Sequence, residues 1–167
     1  MNKQFTVLAF SGLLIFSVAA FSQEMTVKWE YLNKAFITGS DNKMNEVGEL
    51  GWEYVCKGTF MKSKDNGSAV LWEYKNKQFK TGSDKLMNEL GAEGWEFVAD
   101  GVFKRQKNTA NPTKWEYINK VFKTGGSSLM TEEGENGWEY VCNGVYKRQL
   151  GVDNYMKWEY LNKQFKT

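Results

Sequence analysis

The residues of this sequence best suited to chemistry are glutamates, aromatics and two cysteines, because histidine does not occur at all. That removes the usual base of nucleophilic triads and the commonest metal ligand. Two carboxylates flanking a glycosidic bond can serve as acid and base, and Glu30 with Glu53, or Glu73 with Glu96, would supply such a pair. These glutamates recur in every copy of a repeat, however, and those at 53, 96 and 139 each have a Lys or Arg partner within reach, so ion pairing is the favoured reading. A hydrolase working through Glu pairs is the lesser alternative, and no enzyme activity is expected. No residue set for a cofactor or a metal is expected either.

Seven tryptophans and eight tyrosines could form platforms for sugar rings or bases, with avidity added by repetition. The possible ligand-contacting aromatics are Trp29, Tyr31, Trp72, Tyr74, Trp115 and Tyr117. Their competing use is core packing, since a small unit needs large side chains to bury enough area. Core is expected for Trp52, Trp95 and Trp138; for the first set both uses stay open. Lys34, Lys77, Lys120 and Lys163 also recur. With acids interleaved and a net charge of only +2, they read as a solvated face rather than a nucleic-acid stripe.

All of these positions belong to one pattern. Trp-Glu-Tyr opens at Trp29, Trp72, Trp115 and Trp158, each 43 residues after the last, and Gly-Trp-Glu-Tyr/Phe follows 23 residues behind the first three. Such a period implies units too small to stand alone, which must stack to bury their apolar faces. The fold class expected is α+β: three tandem β-α-β-β repeats (27–64, 71–107 and 114–149) and an extra C-terminal strand, 157–167, leading an incomplete fourth.

Within each unit, period-two alternation predicts a leading strand (27–37, 71–80, 114–123 and 157–166). A short helix follows, with Ser40 and Ser83 as N-caps and Met44, Val47 and Leu50, or Met87 and Leu90, on its apolar face. In the third copy Glu133 replaces the apolar residue, leaving Leu129 and Met130 to hold that face. Gly48, Gly91 and Gly134, with Gly51, Gly94 and Gly137, mark the helix end and a close approach to the sheet. The unit closes in a hairpin turning at Lys57-Gly58, Asp100-Gly101 or Asn143-Gly144. Counting outward pairs Val55 with Phe60, Val98 with Phe103 and Val141 with Tyr146, then Glu53 with Lys62, Glu96 with Arg105 and Glu139 with Arg148. Polar linkers occupy 63–69, 107–113 and 151–155.

Lys-Trp-Glu-Tyr, a helix ending Leu86-Met-Asn-Glu-Leu-Gly-Ala-Glu-Gly-Trp-Glu-Phe and a hairpin closing on Phe103-Lys-Arg together resemble the small bacterial domain of unknown function catalogued as family 4177. The resemblance covers three copies and one leading strand, and is weakest at Thr131-Glu-Glu-Gly-Glu-Asn. It implies a compact β-α-β-β unit and no particular chemistry.

Residues 1–22, with Lys3, an apolar run and Ala20-Phe21-Ser22, read as a signal peptide, so an exported chain, periplasmic or secreted, is expected. In such a compartment Cys56 and Cys142 suggest a possible disulfide. In a linear array units one and three do not touch, so a bond would require a closed arrangement or a second chain; free thiols are the other option. The surplus leading strand would be a hazard if unpaired. It is expected to add to a sheet edge, either capping repeat three or closing onto repeat one, with self-association through it as a further outcome. The function expected is a non-catalytic binding or assembly module with an envelope or extracellular protein or glycan as partner, the main alternative being a carbohydrate-binding module.

Overall fold

The computed structural model describes residues 28–35, 40–64, 70–78, 84–121 and 126–161. Residues 1–22, read above as a signal peptide, together with Ser83, Phe36, Phe79, Phe122 and Phe165, lie outside the described residues. Three copies of one unit follow in order: β1 (Trp29–Asn33), α1 (Asp41–Gly48), β2 (Glu53–Cys56) and β3 (Thr59–Ser63); then β4 (Trp72–Asn76), α2 (Asp84–Ala92), β5 (Glu96–Ala99) and β6 (Val102–Gln106); then β7 (Trp115–Asn119), α3 (Ser127–Glu135), β8 (Glu139–Cys142) and β9 (Val145–Gln149). Each unit holds an antiparallel three-stranded sheet in which the leading strand pairs with the last one, in the orders β1-β3-β2, β4-β6-β5 and β7-β9-β8. The protein is thus an α+β chain of three tandem repeats.

The hairpin turns form as the sequence dictates. Both central residues take positive φ, at 45° and 76° for Lys57-Gly58 and 49° and 80° for Asn143-Gly144, the backbone twist that matches two paired strands. Their register differs from the outward count. A β-bulge falls at Val55, Val98 and Val141, so Tyr54 faces Phe60, Phe97 faces Phe103 and Tyr140 faces Tyr146. In the first two units the extra residue turns the larger ring, Tyr54 or Phe97, into the core, while Tyr140 stays 36% exposed, and in all three ring–ring contacts at 5.2 Å replace the expected Val–aromatic pairs. The glutamates shift with it: Glu96 stands opposite Lys104 and Glu139 opposite Lys147, while Glu53 meets Met61. Arg105 and Arg148 instead pair with Glu73 and Glu116 of the leading strands, at 2.8 Å.

The core lies between units. Helix α1 packs on β4 of the next unit, and α2 on β7. Met44 and Val47 therefore share a cluster with Tyr54, Phe60 and the next unit's Tyr74, as Met87 and Leu90 do with Trp95, Phe103 and Tyr117. The close approach marked by glycine is to the following strand rather than to the unit's own sheet. A Cβ at Gly48 or Gly91 would stand 2.2 or 2.1 Å from the carbonyl oxygen of Trp72 or Trp115.

Other expectations are corrected here. Ser40 sits at the N-cap of α1 but its side chain makes no capping bond to the helix. Leu50 lies past the helix end and is exposed, as is Leu129 on α3, where Gly134 is the buried residue. The three leading strands are five residues long and end at the asparagine. Residues 157–161 form no strand and pair with no sheet, so the expected addition to a sheet edge is not seen among the described residues.

Candidate functional site

The surface that recurs in this molecule is a seat: the face of a helix and the start of the hairpin behind it, which receive the leading strand of the next unit. In the second seat Asn88 accepts from the amide of Tyr117 at 2.8 Å and donates to its carbonyl at 2.9 Å. One side-chain amide thereby takes both backbone groups of Tyr117, much as a neighbouring strand would. The Tyr117 hydroxyl donates to the carbonyl of Trp95 at 2.9 Å and accepts from the amide of Phe97 at 2.7 Å. Asp84 receives the side-chain amide of Asn119. The first seat repeats this with Asn45 on the amide of Tyr74, Asp41 on Asn76, and the Tyr74 hydroxyl between the carbonyl of Trp52 and the amide of Tyr54.

The third seat holds the segment 157–161. The Tyr160 hydroxyl makes the same two bonds, to the carbonyl of Trp138 and from the amide of Tyr140, and the Trp158 amide donates to Gly134 at 3.1 Å. Thr131 stands in for asparagine and receives the Tyr160 amide at 3.1 Å. Ser127 and Glu133 replace Asp84 and Leu90. The segment thus sits on repeat three, one of the two positions expected for it, but against the helix and the start of the hairpin rather than added to a sheet edge.

Position decides what each predicted aromatic can do. Tyr74 and Tyr117 are buried, at 2% and 1% exposure, and so are not ligand contacts; Tyr31 is 66% exposed. Burial raises the Tyr74 and Tyr117 phenols well above their usual range, the preceding unit's hairpin amides, of Tyr54 and Phe97, working against it. Trp29 is exposed, whereas Trp72 and Trp115 are half-buried, with the ammonium groups of Lys104 and Lys147 over their rings at 5.0 and 5.1 Å. Trp95 and Trp138 are buried as expected, while Trp52 is half-buried. A groove of about 290 Å³ between the second and third leading strands is lined by Trp72, Glu96, Lys104, Arg105, Pro112 and Trp115.

The glutamates form no isolated acid–base pair. Glu73 is held by Arg105, and Glu30 lies 3.8 Å from Lys64. Glu53, Lys104, Glu96, Lys147 and Glu139 make an alternating ladder across all three units, with contacts of 2.5, 3.4, 2.5 and 3.5 Å. Burial would lower the Lys104 ammonium, but the carboxylates of Glu96 and Glu53 outweigh it and hold the group above its ordinary value. Met61 stands where this ladder would begin in unit one.

Cys56 and Cys142 are free thiols rather than a disulfide. Cys56 is exposed, and Cys142 is half-buried with Sγ 4.0 Å from the carbonyl of Val98. Burial, aided by Asp100, pushes the Cys142 thiol up, which lowers its thiolate fraction. Among the described residues no group of three acidic or cysteine side chains is placed to hold a metal ion, and no helix is long and apolar enough to cross a membrane.

The pattern of repeated tyrosines and tryptophans in the sequence was sufficient to find the aromatic half of the seat. It missed Asn45, Asn88 and Asp41, whose recurrence at period 43 in two copies was the available signal. No family model, curated protein or solved structure matches the chain.

Proposed function

We propose that this chain is an exported, non-catalytic module for binding or assembly, built from a repeat similar to bacterial family 4177. The observation that carries this reading is the contrast at one repeated position: Tyr74 and Tyr117 are consumed in joining units, whereas Tyr31 and Trp29, on the matching face of β1, are exposed. A face that elsewhere receives a helix and hairpin is thereby presented outward, and an exposed aromatic pair of this kind marks an interaction surface. The carboxylates that could have done acid–base work are engaged with lysines and arginines instead, which supports the same reading.

Export rests on the character of residues 1–22. Its test is the N-terminal sequence of the protein recovered outside the cytoplasm, which should start after Ser22.

A carbohydrate-binding reading has one observation in its favour, the groove holding Trp72 and Trp115 beside Glu96 and Arg105. Immobilised protein, with Tyr31→Ser and Trp72→Ala variants, separates the two. Envelope proteins retained by the parent and lost with Tyr31→Ser support assembly through β1. Glycans retained by the parent and lost with Trp72→Ala support the sugar reading and displace the first.

A further inference from the structure

The segment seated on α3 and the exposed strand β1 carry the same seven residues: Lys28-Trp-Glu-Tyr-Leu-Asn-Lys and Lys157-Trp-Glu-Tyr-Leu-Asn-Lys. What the third seat grips in residues 157–161 is a tyrosine hydroxyl, the backbone of Tyr160 and the backbone of Trp158. Every one of those groups is also present in β1, whose Tyr31 side chain is 66% exposed and makes no such bonds. The seat and its alternative occupant therefore exist in one molecule, on opposite ends of the repeat array.

We propose that residues 157–161 are a displaceable cap, and that its displacement opens the third seat to β1 of a second copy of this chain. The proposal deepens the assembly reading above, and rests on it, by naming the partner. Three features argue for this occupant. The joint already exists twice within the chain, where α1 receives β4 and α2 receives β7. The third seat differs from the other two, with Thr131 for asparagine, Ser127 for aspartate and Glu133 for leucine, and it leaves Tyr160 half-buried where the second seat covers Tyr117 to 1% exposure. Finally, Glu139 closes the charge ladder with only Lys147 beside it, at 3.5 Å, and its side chain is 37% exposed against 18% for Glu96, which lies between two lysines.

A tethered cap competes at an effective concentration of roughly millimolar, so the intact chain stays capped and monomeric at micromolar concentration. Because β1 and the seat are different patches, the joint between copies is heterologous and does not close on itself. Uncapped chains should therefore form an open series of oligomers rather than a symmetric dimer.

The test is sedimentation of the whole chain with Tyr160→Ser, which cripples the cap and leaves β1 intact. A concentration-dependent series of oligomers is expected for this variant and a monomer for the parent. Adding Tyr31→Ser should return the variant to monomer. Adding Met61→Lys should instead tighten association roughly two- to fivefold, by placing a lysine beside Glu139 as Lys104 sits beside Glu53. Should Tyr160→Ser lose its far-ultraviolet circular dichroism, Tyr160→Phe, which removes only the hydroxyl, is judged by the same criteria. A folded variant that stays monomeric up to millimolar concentration overturns the proposal, and so does association that ignores Tyr31, which would signify exchange of caps between two copies. Either result leaves Tyr31-dependent retention of another protein standing as a separate question.

Discussion

The second and third seats receive nearly the same peptide, yet one buries its tyrosine and the other leaves it partly open. Tyr117 is covered to 1% exposure and Tyr160 only half-buried. The difference lies in the helix and also in the strand, since β7 is held by β9 while residues 157–161 pair with no strand. Asn88 grips both backbone groups of Tyr117, and Met87 and Leu90 close over its ring; the third helix offers Thr131, Met130 and Glu133 at those places. Strength in this array is thus set unit by unit, through the receiving helix and through whether the inserted segment is itself held in a sheet.

The contrast can be broken at its glycines, where the largest effect is expected. Gly91→Ala places a Cβ 2.1 Å from the Trp115 carbonyl, and β7 cannot retreat because β9 holds it. A loss of about 3 kcal/mol is expected, seen as a fall in Tm of roughly 6–12 °C. Gly134→Ala makes the same collision with Trp158 at 2.0 Å, but the cap can lift away, so the cost should be about 1 kcal/mol or less. Equal losses in thermal melts of the two would show the seats to be equivalent.

Tyr117→Phe comes next. Its hydroxyl satisfies the carbonyl of Trp95 and the amide of Phe97 in a buried site, so removal should cost about 1–3 kcal/mol in urea unfolding. Tyr31→Phe should stay within about 0.5 kcal/mol of the parent, since that side chain is exposed. Thr131→Asn sharpens the comparison in the other direction. It should tighten the grip that Thr131 already makes on both backbone groups of Tyr160, at 3.1 and 3.4 Å against 2.8 and 2.9 Å for Asn88 on Tyr117, and stabilise the cap by about 0.5–1.5 kcal/mol, read as slower hydrogen exchange at the Tyr160 amide.

The smallest effect is on the alkaline side. Burial pushes the Tyr54 phenol, and likewise that of Tyr146, from 10.0 up to about 12. A folded value raised above the unfolded one contributes stability that is full below pH 10.0 and lost as the pH rises through about 12. Lys104, held up by Glu96 and Glu53 against its burial, acts in the same direction. Phenolate absorbance and circular dichroism followed together should change in one step in that window; phenolate formation without unfolding would contradict the assigned burial.

Much of the unit was legible in the sequence. The period of 43, the glycine turns and the helix positions of Met44, Val47, Met87 and Leu90 follow from spacing alone. The bulge was not, because Tyr54 and Val55 are both apolar and a one-residue shift leaves the pattern intact. Nor was the partner of each strand. Alternation shows that a face is covered without saying by which element, so Tyr31 and Tyr74 look alike in the sequence and differ in burial from 66% to 2%. Glu139 and Lys147 point the same way: opposite charges were expected across the hairpin, but the ladder continuing through Glu96 and Lys104 joins units that lie far apart along the chain.

The placement of each helix on the following leading strand also sets a timetable for the growing chain. The first helix has only its own hairpin to lean on until residues as far as Asn76 complete its cover, and the second waits likewise for Asn119. Synthesis therefore always runs about one strand ahead of completion, and a polypeptide halted between two copies carries an unfinished apolar surface that a chaperone can recognise.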